Sequence, residues 1–201
     1  MSNREKFNLM PWNHSDQLIY HIGQVTVGWN DVQFWFYAVF RKMLPDPRAE
    51  AIFFAIRTDR AQRDIVRELA ENYLSDHPKL LAELKTKIEE ANQLAGRRND
   101  VLHAIWNLDP AAAAPEVLLP KKNRMKGKNV LQEINRLNED LRKLEMALVD
   151  ITNRVESFVR QKSAKLAQTV VYEAAIKALQ PSKKTSKSRA KDQRDRHRGK
   201  Q

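Results

Sequence analysis

Apolar residues recur at spacings of three and four along several long stretches of the chain, and this period predicts amphipathic helices. The first helix is predicted to start at Ser15 and Asp16. This helix is apolar on nearly all sides, and a helix of that kind must be buried on two faces. The second face is predicted to pack either on neighbouring helices or on a partner subunit. The main stripe consists of Leu18, Ile22, Val25, Trp29, Val32, Phe36, Val39 and Met43, and Ile19, Phe34, Trp35, Tyr37 and Phe40 extend the apolar surface.

A second helix is predicted to follow the break at Pro45-Asp46-Pro47 and to continue to about Tyr73. Asp46 is suited to the N-cap, and the proline after it to the first helical position. Two polar residues, Asp59 and Gln62, lie in or beside the apolar arc of this helix. Buried polar groups need hydrogen-bond partners. These two residues are therefore predicted either to tie helices together or to orient a functional group.

The third helix is predicted to begin at Ser75-Asp76-His77-Pro78, a break followed by a cap. Gly96 has a low helix propensity and marks a point at which this helix could divide in two. Its apolar stripe consists of Leu80, Leu84, Ile88, Ala91, Ala95, Leu102 and Ile105.

A proline-containing interruption over residues 109–128 precedes a fourth helix, for which Asn129 and Gln132 form the start of a capping pattern. The regular repeat from Val130 to Phe158 fits either a coiled-coil seam or packing against the three other helices. Residues 164–179 continue or restart this helix. The predicted fold is an all-α, up-and-down bundle of four to five helices over residues 15–180. A polar lead-in over residues 1–14 precedes it, and a disordered basic tail over residues 181–201 follows it.

Charge and composition narrow the class of protein. The net charge is +11, and the tail contributes nine basic against two acidic residues, so the rest of the chain is only mildly basic. This distribution favours a polyanionic partner. The absence of cysteine excludes disulfides and thiolate chemistry, and no apolar run resembles a signal peptide or a membrane span. We therefore expect a cytoplasmic protein that does not associate with a membrane.

The stretch from Gly96 to Trp106 carries the candidate chemistry. Arg98 lies within the apolar stripe of the third helix, where a guanidinium needs an acidic partner, a bound anion or water. His103 lies one helical turn after Asn99, and histidine is the side-chain type that exchanges protons near neutral pH. Arg98 either pairs with a carboxylate such as Asp59, as a structural ion pair, or holds a phosphate.

A cation and a proton-transfer group are sufficient to cleave RNA without a metal. The base takes the proton of the ribose 2′-OH, and the cation stabilises the charge that develops on the phosphorus oxygens. On an ideal helix, Arg98 and His103 are about 140° apart. Their convergence therefore requires an extended Arg98, a distorted helix near Gly96, or groups from two subunits.

A run of basic residues follows His103 closely and is predicted to contact the phosphate backbone of a nucleic acid. No acidic residue interrupts it, and no metal site or cofactor is indicated by the sequence. The run consists of Lys121, Lys122, Arg124, Lys126 and Lys128.

The residues Arg98 to His103 resemble the Arg-polar-x-x-x-His motif of the HEPN superfamily (higher eukaryotes and prokaryotes nucleotide-binding). The stretch is also similar to an uncharacterised bacterial branch of that superfamily, in which Gly often occupies the position of Ala104. The resemblance covers roughly residues 15–160. It implies a homodimeric helical bundle in which Arg98 contacts phosphate, His103 transfers a proton and Asn99 tunes the pair.

We therefore expect a metal-independent endoribonuclease in a toxin or defence role, with a cognate antitoxin or regulator. Asp59 and Gln62 are its expected supporting residues. Two alternatives stay open. One is a non-catalytic RNA- or nucleotide-binding module, and the other is a helical interaction protein whose first and fourth helices form an oligomer interface.

Overall fold

The computed structural model describes residues 14–107, 116–119 and 123–179. Helices form most of these ranges, which confirms the predicted all-α bundle. The predicted tail and nearly all of the predicted lead-in lie outside the described residues. The elements are α1 (His14–Met43), α2 (Ala49–Ala55), α3 (Asp59–Tyr73), α4 (Pro78–Leu102), β1 (Ile105–Asn107), β2 (Glu116–Leu119) and α5 (Val130–Leu179).

Helix α1 forms the centre of the bundle, because it packs on α2, α3 and α4 and also contacts α5. Burial is nearly complete along the predicted stripe, whereas Ile22 is half-buried. On the opposite side, Ile19, Val27 and Phe34 are 61%, 60% and 55% exposed. The second apolar face of α1 is thus not covered by the described part of the chain.

The prediction of one continuous second helix is wrong. Ile56 adopts an extended conformation after α2, and Thr58 then caps α3 by accepting a hydrogen bond from the backbone N–H of Ala61 at 3.3 Å. An N-cap residue has a non-helical backbone conformation, so it starts a new helix rather than continuing the old one. The buried face of α3 consists of Gln62, Arg63, Val66 and Ala70.

Helix α4 is continuous through Gly96, so the proposed division of this helix does not occur. The helix ends at Leu102, and His103 is its C-cap residue, with its backbone N–H donating to the Asn99 carbonyl at 3.0 Å. Ile105, which was predicted to continue the helical stripe, instead lies in β1 and pairs with Leu119 of β2 in an antiparallel ladder. The predicted interruption therefore includes a short hairpin.

Helix α5 begins as predicted, since the Asn129 side chain accepts a hydrogen bond from the Gln132 backbone N–H at 3.1 Å. Its stripe from Val130 to Val155 is buried within the monomer, which favours packing on the other helices over a coiled-coil seam. The chain divides into two compact units after Ser157. The described part of the second unit, residues 158–179, is the C-terminal part of α5.

Contacts between helices define their directions in the first unit. Asn138 and Glu156 of α5 contact His21 and Lys42 of α1 in that order, so the two helices are parallel. Helix α4 is antiparallel to α5, because Arg97 contacts Asp140 and Glu83 contacts Arg154. None of the helices among the described residues has the length and apolar character needed to cross a membrane.

Candidate functional site

Three helices, α1, α3 and α4, border a polar cleft of about 510 Å³, which we call the arginine cleft. Three of the predicted site residues, Arg98, Asn99 and Asp59, lie in its wall. The full lining is Trp29, Asp59, Arg60, Arg63, Glu89, Asn92, Ala95, Gly96, Arg98 and Asn99. The wall thus contains three guanidinium groups and two carboxylates, a composition suited to an anionic ligand.

Arg98 enters the cleft from the last turns of α4. Its Nη1 donates a hydrogen bond to the Asn99 side-chain oxygen at 3.0 Å, and its guanidinium carbon lies 5.8 Å from the centre of the Trp29 ring. Its Nε is buried without a hydrogen-bond partner. Within the described parts of the chain, no carboxylate forms an ion pair with Arg98, so no direct carboxylate contact there neutralises the charge of this guanidinium.

Arg63 enters the same cleft from α3 and is only 2% exposed. Its Nε donates to the Asn92 side-chain oxygen at 2.9 Å, and its guanidinium carbon lies 5.4 Å from the centre of the Trp29 ring. Its Nη1 is buried and lacks a hydrogen-bond partner. Burial lowers the pKa of Arg63 from its ordinary value, although the nearby Asp59 and Asp64 carboxylates act in the opposite direction.

Trp29 connects the two arginines with Asp59. The indole ring is 2% exposed, and its Nε1 donates to the Asp59 carboxylate at 2.8 Å. The Asp59 carboxylate therefore bonds to α1 and does not form the expected ion pair with Arg98. Two guanidinium groups beside one indole are held there by attraction to its π-electrons.

His103 and Gln62 do not line the arginine cleft. His103 is exposed at the C-terminal end of α4, while Arg98 points toward Trp29. Helix α4 is continuous through Arg98, so the five-residue spacing directs these two side chains to different sides. Gln62 instead donates to the backbone carbonyl of Ile56 at 3.0 Å, which ties the α2–α3 linker to α3. That contact is the helix-tying role offered for Gln62.

The adjacent Arg97 differs sharply from Arg98. Its Nη1 lies 2.5 Å from a carboxylate oxygen of Asp140, so this pair joins α4 to α5. Two consecutive arginines of one helix therefore have different surroundings, one with a carboxylate partner and one with an amide. A structural ion pair is therefore formed by Arg97, with Asp140, and not by Arg98 with Asp59.

The basic run after His103 is only partly described, since Lys121 and Lys122 lie outside the described residues. Arg124 packs over Gly96, where an added Cβ would lie 2.7 Å from its Nη1, and it is 3.4 Å from the Asp100 carboxylate. Lys128 is 3.9 Å from Glu133, and Lys126 is exposed. Gly96 of α4 also lines the arginine cleft, so Arg124 contacts a residue that borders the cleft.

Asn123 anchors this basic segment to the end of α4. Its side-chain amide donates to the Asp100 carbonyl at 2.6 Å, and its side-chain oxygen accepts from the Met125 backbone N–H at 2.9 Å. The residue is 5% exposed, so both bonds are shielded from water. The anchor fixes the start of the segment next to the turn that carries Arg98 and Asn99.

Three participants in the cleft, Trp29, Arg63 and Asn92, were not among the residues selected from the sequence. Trp29 was read as a core residue, which it also is. Arg63 lies on the face of α3 that also buries Val66 and Ala70, a signal that was available at helical spacing. No cluster of three or more metal-binding side chains occurs in the part of the chain that the structure describes.

Comparisons with protein-family models, with curated proteins and with solved structures give no match to this chain. The interpretation of the arginine cleft therefore depends on its own geometry and on the motif from Arg98 to His103.

Proposed function

We propose that the protein binds the phosphate backbone of RNA at the arginine cleft and acts as a metal-independent endoribonuclease of HEPN type. The observation that carries the proposal is the Arg98 guanidinium, which lines a polar cleft without a carboxylate partner among the described residues. A polyanion supplies the missing countercharge. The basic segment anchored beside the cleft adds electrostatic attraction that does not depend on RNA sequence.

In the proposed reaction, the imidazole of His103 takes the proton of a ribose 2′-OH. The freed oxygen attacks the adjacent phosphorus, the bond to the 5′ oxygen breaks, and the leaving oxygen takes up a proton. The products are a 2′,3′-cyclic phosphate and a 5′-OH end. Arg98 holds the phosphate and stabilises the additional negative charge of the transition state. DNA is not a substrate because it lacks the 2′-OH.

Because His103 lies outside the cleft of its own chain, we further propose that the active form is a homodimer in which Arg98 and His103 come from different subunits. The uncovered apolar face of α1, with Val27 and Phe34 each more than half exposed, supports such an interface. Asp31, Glu139 and Arg142 lie along a groove beside it and provide charges of both signs for a symmetric contact.

A second candidate function is a non-catalytic RNA-binding module. The exposed position of His103, outside the cleft, favours this alternative. In that case the cleft and the basic segment hold RNA without cutting it, and the RNA affinity decreases steeply with salt.

The deciding experiment incubates the purified protein, in EDTA, with a labelled structured RNA and with its 2′-deoxy counterpart. We expect cleavage of the RNA alone, with a cyclic phosphate on the product. Arg98→Ala and His103→Ala should each lower the rate by about a hundredfold or more, since each removes a group that acts in the transition state.

Arg57→Ala and His21→Ala are matched controls, because they remove the same side-chain types from positions outside the cleft. Cleavage that survives both Arg98→Ala and His103→Ala would refute the catalytic assignment. RNA that binds but stays intact, with folded protein, would favour the binding module.

A further inference from the structure

We infer that Arg63 and Arg98 together form a binding site for a phosphate-type oxyanion in the arginine cleft. Arg63 belongs neither to the sequence motif nor to the proposed cleavage reaction, and it lies on a different helix, α3. The part of the inference that concerns RNA rests on the proposed function. The part that concerns free phosphate does not depend on it.

The first argument is that the charge of Arg63 is buried and that one of its hydrogen-bond donors has no partner. The residue lines the cleft although it is only 2% exposed, and its Nη1 is a buried donor with no hydrogen-bond partner. A buried cation with an unused donor is unfavourable unless another group supplies the acceptor. Asn92 satisfies only the Nε of this guanidinium. Because Arg63 lines the cleft, an anion bound there would supply a countercharge for this guanidinium.

The second argument is how the two guanidinium groups are oriented. Each is oriented by a hydrogen bond that it donates to a neutral amide oxygen. Arg63 donates to Asn92 at 2.9 Å, and Arg98 donates to Asn99 at 3.0 Å. Over the described ranges, neither arginine forms an ion pair with a carboxylate. Amide acceptors fix the direction of a guanidinium without cancelling its charge. Both side chains are therefore oriented but electrostatically unsaturated, as an anion site requires.

The third argument is that the two carboxylates that line the cleft accept hydrogen bonds from neutral side chains and form no ion pair with Arg63 or Arg98 among the described residues. Asp59 accepts the indole N–H of Trp29 at 2.8 Å, and Glu89 accepts a hydrogen bond from the Asn92 side chain at 3.4 Å. Each carboxylate thus supports a residue that contacts Arg63. Three guanidinium groups against two carboxylates leave one formal positive charge in the cleft. A planar guanidinium presents paired N–H groups that fit the oxygens of a phosphate.

Isothermal titration of the full chain with inorganic phosphate tests the inference, with chloride adjusted to keep the ionic strength constant. We expect saturable binding of one phosphate per chain. Arg63→Gln and Arg98→Gln should each weaken it by about tenfold or more, because each removes charged hydrogen bonds. Arg57→Gln is the matched control, since it removes an exposed arginine outside the cleft, and its effect should stay within about twofold.

Arg63→Lys guards against a variant that fails to fold. It keeps the positive charge but loses the paired donors, so phosphate affinity should lie between those of the wild type and Arg63→Gln. Circular dichroism identifies any variant that is unfolded. In parallel, the side-chain Nε–Hε NMR signals of Arg63 and Arg98 should both shift as phosphate is added to the wild type.

Phosphate binding that is no stronger than chloride binding, or that is unchanged in folded Arg63→Gln and Arg63→Lys proteins, would overturn the inference. A competition arm separates it from the proposed function. Phosphate binding that needs both arginines but is not displaced by RNA supports the inference and contradicts the proposed function. If the wild-type protein binds RNA but does not bind phosphate, the inference is overturned, while RNA binding itself is supported.

Discussion

The contrast between Arg97 and Arg98 shows how the surroundings of a side chain, rather than its type, determine its role. Both guanidinium groups belong to the same turn of α4, yet Arg97 binds a carboxylate of α5, whereas Arg98 binds the amide of Asn99 and lies over the ring of Trp29. Arg97 therefore contributes to stability by joining two helices. The positive charge of Arg98 is available to bind an anionic ligand.

Substitution of these two arginines should have opposite effects on stability and binding. Arg97→Ala should lower the free energy of unfolding by about 0.5 to 1 kcal/mol, the value of a partly exposed ion pair. Arg98→Ala should change it by less than about 0.5 kcal/mol and should weaken RNA binding more strongly. Urea denaturation of both variants measures the free energy of unfolding, and RNA titration measures their affinity for RNA. A larger loss of stability for Arg98→Ala would indicate a structural role for that residue.

Trp29 is the residue on which the shape of the cleft depends. Trp29→Phe keeps an aromatic ring but removes the N–H that donates to Asp59, and it leaves a partly buried carboxylate without this donor. We expect a loss of about 1 to 3 kcal/mol in the free energy of unfolding, measured by urea denaturation. Phosphate and RNA affinity should also decrease.

Trp35→Phe is the matched control for that change, because Trp35 is half-buried on the same helix. Its indole N–H has no hydrogen bond within the described residues, so its loss should cost less than about 1 kcal/mol. Equal effects of the two substitutions would argue against an organising role for the Trp29 to Asp59 hydrogen bond.

At the scale of elements, α4 carries the cleft on one side and the basic segment on another, and Gly96 lies where the two meet. Arg124 packs directly over Gly96, where any larger side chain would displace it from Asp100. The glycine weakens the helix, but it permits the segment from Asn123 to Lys128 to approach the cleft.

Gly96→Ala and Gly23→Ala should therefore differ in their effect. Gly23 has nothing within 4 Å of an added Cβ, so Gly23→Ala should raise the free energy of unfolding by about 1 kcal/mol through helix propensity alone. Gly96→Ala should raise the free energy of unfolding by clearly less, because Arg124 must move away from Asp100. Urea denaturation compares the two variants, and equal gains would show that the Arg124 contact contributes nothing.

The sequence was informative about elements in proportion to their length and regularity. The apolar stripes of α1, α4 and α5 span many turns, so the starts of these helices were predicted closely, whereas α4 ends at Leu102, before the predicted stripe position Ile105. The break at Ile56 was missed because its main signal is the Thr58 cap, inside a stretch that otherwise fits a helical period. The hairpin was missed because strand pairing joins residues on both sides of a proline-rich segment, and periodicity does not detect such pairing.

The candidate site was predictable to a smaller extent, again for physical reasons. Arg98, Asn99 and Asp59 were selected from local sequence, and all three line the cleft. Arg63 was not selected, although its helical spacing from Val66 and Ala70 indicated a position on the buried face of α3. The separation of Arg98 from His103 followed from helical geometry alone. The structure adds that Arg98 turns toward Trp29 instead of toward the end of the helix.

At the scale of the whole molecule, positive charge is distributed over several places. The first is the cleft, the second is the segment from Asn123 to Lys128, and the third is the sequence after residue 180 with its nine basic residues. Each adds to attraction for a polyanion, and the cleft holds two guanidinium groups that are oriented by amide oxygens. General affinity for RNA can therefore arise outside the proposed site, and specific contributions must be separated by substitution within the cleft.

The proposed two-subunit site makes a prediction that neither a monomeric nor a single-chain site shares. Arg98→Ala and His103→Ala variants should each be inactive. After the two are mixed in equal amounts and allowed to exchange subunits, half of the dimers contain one of each chain. In such a dimer, one site combines an intact Arg98 with an intact His103, while the other site lacks both.

About one quarter of all sites should therefore be restored, so ribonuclease activity should recover to about a quarter of that of the wild type. Native mass spectrometry of the mixture, in which the two variant chains differ in mass, shows whether the subunits have exchanged. If each site lies within one chain, every site in the first mixture lacks one group and no activity returns. A mixture that stays inactive despite proven exchange would show that Arg98 and His103 do not act across the subunit interface.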